Sequence, residues 1–244
     1  MPFATRRFRT KALLTLCLGA LCMVITPVPK AAPFQDNMAQ RTLACTGCHG
    51  PQGRSGPDAY YPRLAGKPAG YLHNQLVNIQ EGRRQYALMQ GLLAPLDSSY
   101  LHAIADYFSG LEIPYPPPPA PKVAPEVLAR GAQLAQRGET QTQIPACVQC
   151  HGSALMGTQP SVPGLLGLPR DYLNAQLGAW KNGLRKAQAP DCMAAIAQKL
   201  SDADVHALSS WLAAQALPVN TKPAEHPPPL APGASAIRCG SVPW

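Results

Sequence analysis

"CTGCHG" occupies residues 45–50 and "CVQCHG" occupies residues 147–152. Four of the chain's eight cysteines lie in these two runs, and a histidine directly follows each second cysteine. The likeness extends well beyond them. After the first run come "YPRLAG", "YLHNQL", "EGRR", Met89 and "PLDSSYLHAIADYF"; after the second come "VPGLLG", "YLNAQL", "NGLR", Met193 and "KLSDADVHALSSWL". Pro62 and Pro163, Tyr71 and Tyr172, and Gln75 and Gln176 are all 101 residues apart, against 102 at the cysteines. A tandem duplication of a unit under about a hundred residues accounts for this.

Between the copies lies "IPYPPPPAPKVAP", residues 113–125. Proline at this density favours an extended, semi-rigid spacer. It divides the chain into domain one at residues 33–113, a linker at 114–125 and domain two at 126–216. A second proline-rich stretch, 217–244, reads as an extended tail without a core of its own.

Within each copy the apolar spacing is helical. Leu72, Leu76 and Ile79 stand at i, i+4 and i+7, and Leu173, Leu177 and Trp180 repeat the pattern. Leu101, Ile104 and Phe108 stripe a later helix, matched by Val205, Leu208 and Leu212. Ser201 followed by Asp204 resembles a capping box that starts that helix. The expected fold class is all-α. A few short helices of about 80 residues hold too little apolar mass for a robust core, so something else must fill each domain.

The cysteine pairs supply a candidate. A closed zinc site needs four ligands, which one pair per domain does not provide. A redox-active Cys-x-x-Cys belongs beside a βαβ pattern, and none is present. Covalent haem attachment uses every element of the motif: Cys45 and Cys48 lie one helical turn apart and reach the two vinyl groups of one porphyrin, while His49 is placed to ligate iron. Cys147, Cys150 and His151 repeat the arrangement. The expected cofactors are therefore two covalently bound c-type haems, each an apolar disc around which short helices can fold.

A sixth iron ligand follows from the repeat. Met89 and Met193 each precede by seven residues the leucine, Leu96 or Leu200, that introduces the last helix. Met23, Met38 and Met156 have no counterpart in the other copy. His73, His102, His206 and His226 read as surface or structural histidines.

On these residues the chain resembles the dihaem class I cytochromes c of the cytochrome c4 type, over about residues 34–216. The likeness rests on both C-x-x-C-H-G runs, P-x-L-x-G at 62–66 and 163–167, Y-L-x-x-Q-L twice, Gly82/Arg83 with Gly183/Arg185, and the two methionines. It implies two tandem class I cytochrome c domains, with His49 and Met89 ligating one iron and His151 and Met193 the other. It also implies that the Pro62 and Pro163 carbonyls accept hydrogen bonds from the ligand histidines, which fixes the imidazole orientation. Haem propionate edges facing each other would give fast electron exchange. Three features depart from the pattern: no glycine lies between Pro33 and Cys45, "KAQAPDC" adds three residues before Met193, and the tail is extra.

The N-terminus reads as a signal peptide, residues 1–32. "RRFRTK" precedes an apolar run of 14 residues, short for a membrane span, with small residues for cleavage near Ala32. Five of the basic residues behind the net charge of +8 lie in this leader, and the remainder carries about +3 without a basic stripe. No nucleic-acid partner is expected. Export to the periplasm follows, with peripheral membrane association left open. In that oxidising compartment Cys192 and Cys239, left over after haem attachment, are expected to form a disulfide pinning the tail beside Met193.

Two filled axial sites and the absence of an acid–base constellation suit an electron carrier rather than an enzyme. The expected partners are a redox donor and acceptor, with membrane respiratory complexes such as a terminal oxidase among them. The alternatives are a dedicated cytochrome subunit of a periplasmic dehydrogenase, and a dihaem enzyme of the peroxidase or thiosulfate-oxidising kind with Cys192 as a thiolate ligand.

Overall fold

The computed structural model describes residues 33, 35–56, 60–229 and 237–242, and from Gln35 onward the chain is one contact unit. The signal peptide expected at 1–32 lies outside the described residues. No helix among the described residues is long and apolar enough to cross a membrane.

The first repeat contributes α1 (Met38–Arg41), α2 (Leu43–His49), α3 (Ala69–Gln80), α4 (Ala87–Leu93) and α5 (Ser98–Ser109). The second contributes α6 (Pro125–Arg137), α7 (Val148–His151), α8 (Arg170–Lys181), α9 (Cys192–Ala197) and α10 (Asp202–Ala214). The class is all-α. The described strands, β1 (Gly157–Thr158) and β2 (Val162–Pro163), form a two-residue antiparallel pair in the second repeat.

The helical stripes face inward. Leu72, Ile79, Leu101, Ile104 and Phe108 are buried where α3 packs on α5. Leu173 and Leu212 are buried where α8 meets α10. Caps set the starts of the last helices. Asp97 accepts from the Tyr100 N–H, and Ser201 with Asp204 forms a full capping box, satisfying donors that the first turn leaves unpaired.

The repeats differ in their first helix, 4 residues in α1 against 13 in α6. In α6, Gly131 lets the helix lie directly on α10, since a Cβ there would come within 2.3 Å of the Ala207 carbonyl oxygen. The first repeat has no glycine before Cys45, and its α1 is a helix of only 4 residues lying against α5.

Described parts of the tail are tied to the rest of the chain by backbone contacts and a disulfide. Ala224 bridges in parallel to Thr158, with Gln159 N donating to Ala224 O at 2.8 Å. Further on, Cys239 is bonded to Cys192, Gly240 N donates to Pro190 O at 2.9 Å, and Asn74 Nδ2 donates to Ser241 O at 2.8 Å.

Candidate functional site

Each Cys-x-x-Cys-His run ends a helix on a glycine with positive φ, Gly50 at 73° and Gly152 at 82°. A Cβ at Gly50 would lie 2.2 Å from the Ser55 carbonyl oxygen, so the chain can turn back under the histidine only at glycine. That turn brings the following proline loop to the imidazole. His49 Nδ1 donates to the Pro62 carbonyl at 2.8 Å, and His151 Nδ1 donates to the Pro163 carbonyl at 2.7 Å.

A carbonyl only accepts, so Nδ1 carries the proton in both rings. Burial pushes both histidine pKa values down, with the carbonyl hydrogen bond opposing; Arg84 adds to the depression at His49 and Lys67 at His151. A neutral ring with its proton on Nδ1 leaves the Nε2 lone pair free for a metal. Tyr61 lies edge-on to His49, its ring centre 5.9 Å away.

Both histidines open onto one continuous cavity of about 900 Å³. Cys45, Cys48 and Met89 line it from the first repeat, and Cys147, Cys150 and Met193 from the second. Its walls are mostly apolar, among them Leu72, Phe108, Leu173 and Leu212. The four motif cysteines form no disulfide and are half-buried. Burial raises the pKa of Cys45 and Cys150 and pushes Cys147 up to about 11, the reverse of a redox-active thiol. Among the described residues no three His, Cys, Asp or Glu side chains converge to hold a metal ion directly. His73 and His102 stack on each other, with ring centres 3.6 Å apart.

Where the repeats meet, Arg84 and Arg185 form an antiparallel backbone bridge. Arg84 donates to Gln75 at 3.1 Å, to Gln176 at 2.8 Å and to the Tyr172 hydroxyl at 3.2 Å. Arg185 donates to Gln176 at 2.8 Å and to Gln75 at 3.0 Å. The grouping of Arg83 with Arg185 is thereby corrected: the counterpart of Arg185 is Arg84, which also stands at the repeat offset of 101. Arg83 instead reaches Asn78 and pairs with Glu81. The sequence also gave no role to the tyrosines and glutamines of the Y-L-x-x-Q-L runs. Their identical spacing in both repeats was the signal, because residues that join two copies about a pseudo-twofold axis must recur in both.

Among the described residues neither Arg84 nor Arg185 makes an ion pair with a carboxylate, although both line the cavity. Burial and the neighbouring Arg84 push the Arg185 pKa down. Two such guanidiniums suit an occupant that brings its own carboxylates. A haem has that chemistry: an apolar face for the walls, vinyl groups for the thiols, iron for the imidazoles and propionates for the arginines. The residues present fit the group.

Cys192, weighed above as a thiolate ligand, is bonded to Cys239, which removes that role. Lys67 also lines the cavity, and no sequence pattern marks it, since its counterpart is Leu168.

The sequence profile of the cytochrome c family matches residues 128–216. The chain is 37% identical over 217 residues to the thiosulfate dehydrogenase electron acceptor of Thiomonas intermedia, covering 88% of this chain and 96% of that one. It is 32% identical over 194 residues to cytochrome c4 of Pseudomonas aeruginosa, covering 79% and 94%. Among solved structures it is similar to the thiosulfate dehydrogenase TsdBA of Marichromatium purpuratum, with TM-score 0.64 and 32% identity. That likeness covers 71% of this chain but only 36% of the longer TsdBA chain.

Proposed function

The chain belongs to the cytochrome c4 family of dihaem class I cytochromes c, and from that premise we propose that it is the electron acceptor of a thiosulfate-oxidising dehydrogenase. It is a cytochrome c electron carrier with two covalently bound c-type haems, each supplying a one-electron iron couple. The finer reading rests on one observation, the 37% identity spanning 96% of the Thiomonas intermedia thiosulfate dehydrogenase electron acceptor. The likeness to part of the TsdBA chain supports the same partner.

In this reading Cys45 and Cys48 hold the first haem, with His49 and Met89 as axial ligands. Cys147 and Cys150 hold the second, with His151 and Met193. Pro62 and Pro163 orient the imidazoles, and Arg84 and Arg185 face the carboxylate edges. The chain divides into haem domains at 33–113 and 126–216, and residues 1–32 export it to the periplasm. Electrons leave to a terminal oxidase or similar acceptor.

The test is reduction of the purified ferric protein, followed optically. Thiosulfate alone should leave it ferric, and thiosulfate with catalytic amounts of a thiosulfate dehydrogenase should reduce both haems. Reduction by thiosulfate alone would make the protein itself the enzyme. Failure with the dehydrogenase, alongside reduction by a quinol-oxidising complex, would return it to the role of general carrier.

A further inference from the structure

The turn before α3 reads Gly66–Lys67–Pro68, and the same place in the second repeat reads Gly167–Leu168–Pro169. Leu168 is buried in an apolar cluster with Leu155, Met156, Tyr172 and Leu173. Lys67 is just as deeply buried, 3% exposed, yet it ends in an ammonium.

That ammonium leaves its own repeat. Lys67 Nζ donates to the Gly164 carbonyl at 3.0 Å, and nearby Gly70 N donates to the Pro160 carbonyl at 3.0 Å. The turn is thus fastened to the loop 160–164, whose Pro163 carbonyl holds His151. Among the described residues Lys67 makes no ion pair with a carboxylate. Burial pushes its pKa from 10.5 down to about 7, with Arg63 adding to the shift. A leucine, as at 168, would avoid that cost.

The first repeat has no equivalent contact. Arg63, next to Pro62, turns toward the linker: it donates to the Pro114 and Ile113 carbonyls and stacks 3.7 Å from the Tyr115 ring centre. Gly164 stands at the corresponding place in the second repeat, so its histidine loop carries no cation of its own. Lys67 supplies one from the other repeat.

We propose that Lys67 is a positioning residue for the second haem, its ammonium holding the 160–164 loop behind His151 and its charge favouring ferrous iron there. A buried positive charge disfavours the ferric state, which carries one more positive charge than the ferrous, and low-dielectric surroundings screen it little. No further reactant is needed, because Lys67 shifts a one-electron equilibrium without itself changing. The inference deepens the proposed function and rests on His151 as the axial ligand.

The experiment is potentiometric titration of the whole dihaem protein at pH 6, where the ammonium is protonated. Each haem is identified by NMR contacts of its methyl groups with Phe108 or with Leu212. Lys67→Gln and Lys67→Leu should both lower the potential of the second haem. The ferrous-to-ferric ratio should fall on the order of tenfold, or about 59 mV for a one-electron couple, with the first haem unmoved. Lys67→Arg should retain the original value. An unchanged second haem in both neutral variants would overturn the proposal, as would an equal fall at both haems. The wild-type optical spectrum tests the ligand reading separately, since absence of histidine-ligated low-spin bands would refute that reading and not the variant comparison.

Discussion

Arg84 and Arg185 each reach the glutamine of the opposite repeat, Arg84 to Gln176 at 2.8 Å and Arg185 to Gln75 at 3.0 Å. Each also donates to the glutamine of its own repeat. The two like charges share both glutamines as acceptors, so removing either one changes the surroundings of the other.

Substitution of both arginines should therefore be non-additive. In denaturant titrations of Arg84→Ala, Arg185→Ala and the double variant, the coupling should be about 1–2 kcal/mol. Additivity within about 0.5 kcal/mol would show that the two side chains act independently.

Met89 and Met193 occupy matching places on α4 and α9 and line the same cavity. Met89→Ala should abolish the methionine–iron charge-transfer absorption of one haem and lower its potential, leaving the other as it was. Met193→Ala should do the same to the second. An unchanged spectrum in either variant would assign that iron another ligand.

The Cys192–Cys239 bond closes a separation of 47 residues. Chain-entropy reasoning puts an upper bound of about 4 kcal/mol on its contribution. Alkylation under denaturing, non-reducing conditions should label neither cysteine. Cys239→Ser should lower the Tm in non-reducing buffer, whereas reductant should lower it in the parent and not in the variant.

Ser201 and Asp204 satisfy each other's backbone donors at the start of α10, which packs against both α6 and α8. Ser201→Ala should cost about 1 kcal/mol of stability, read as a shift in the denaturant midpoint at constant slope. The haem spectra should not change, because the cap lies outside the cavity.

Some of this is written in residue order. The helices follow from apolar spacing in Leu101, Ile104 and Phe108 and in their counterparts, because one helix face is a local property. The cap at Ser201 is local too. The paired cysteines with their adjacent histidines identify the cofactor because thioether attachment and iron ligation need those atoms at that spacing. The tail disulfide followed by elimination, since two thiols remained after haem attachment in a chain read as exported. The missing glycine before Cys45 marks a departure in the first helix, but only α10, the neighbour of α6, shows why Gly131 matters, since the limit there is contact with Ala207.

What lies between the repeats was decided by the tertiary structure. Arg84 stands opposite Arg185 at the repeat offset of 101, but residue order does not say that either side chain crosses to the other repeat. The fold joins Arg84 to Arg185 in a backbone bridge and carries each guanidinium to the glutamine of the other repeat. Lys67 carried no signal at all, for its counterpart is a leucine and its partner is a carbonyl 97 residues away. Local periodicity and covalent chemistry are set by neighbours in the chain. What surrounds a buried histidine depends on folding: burial and the Pro163 carbonyl act first on His151, and Lys67 adds to them from the other repeat.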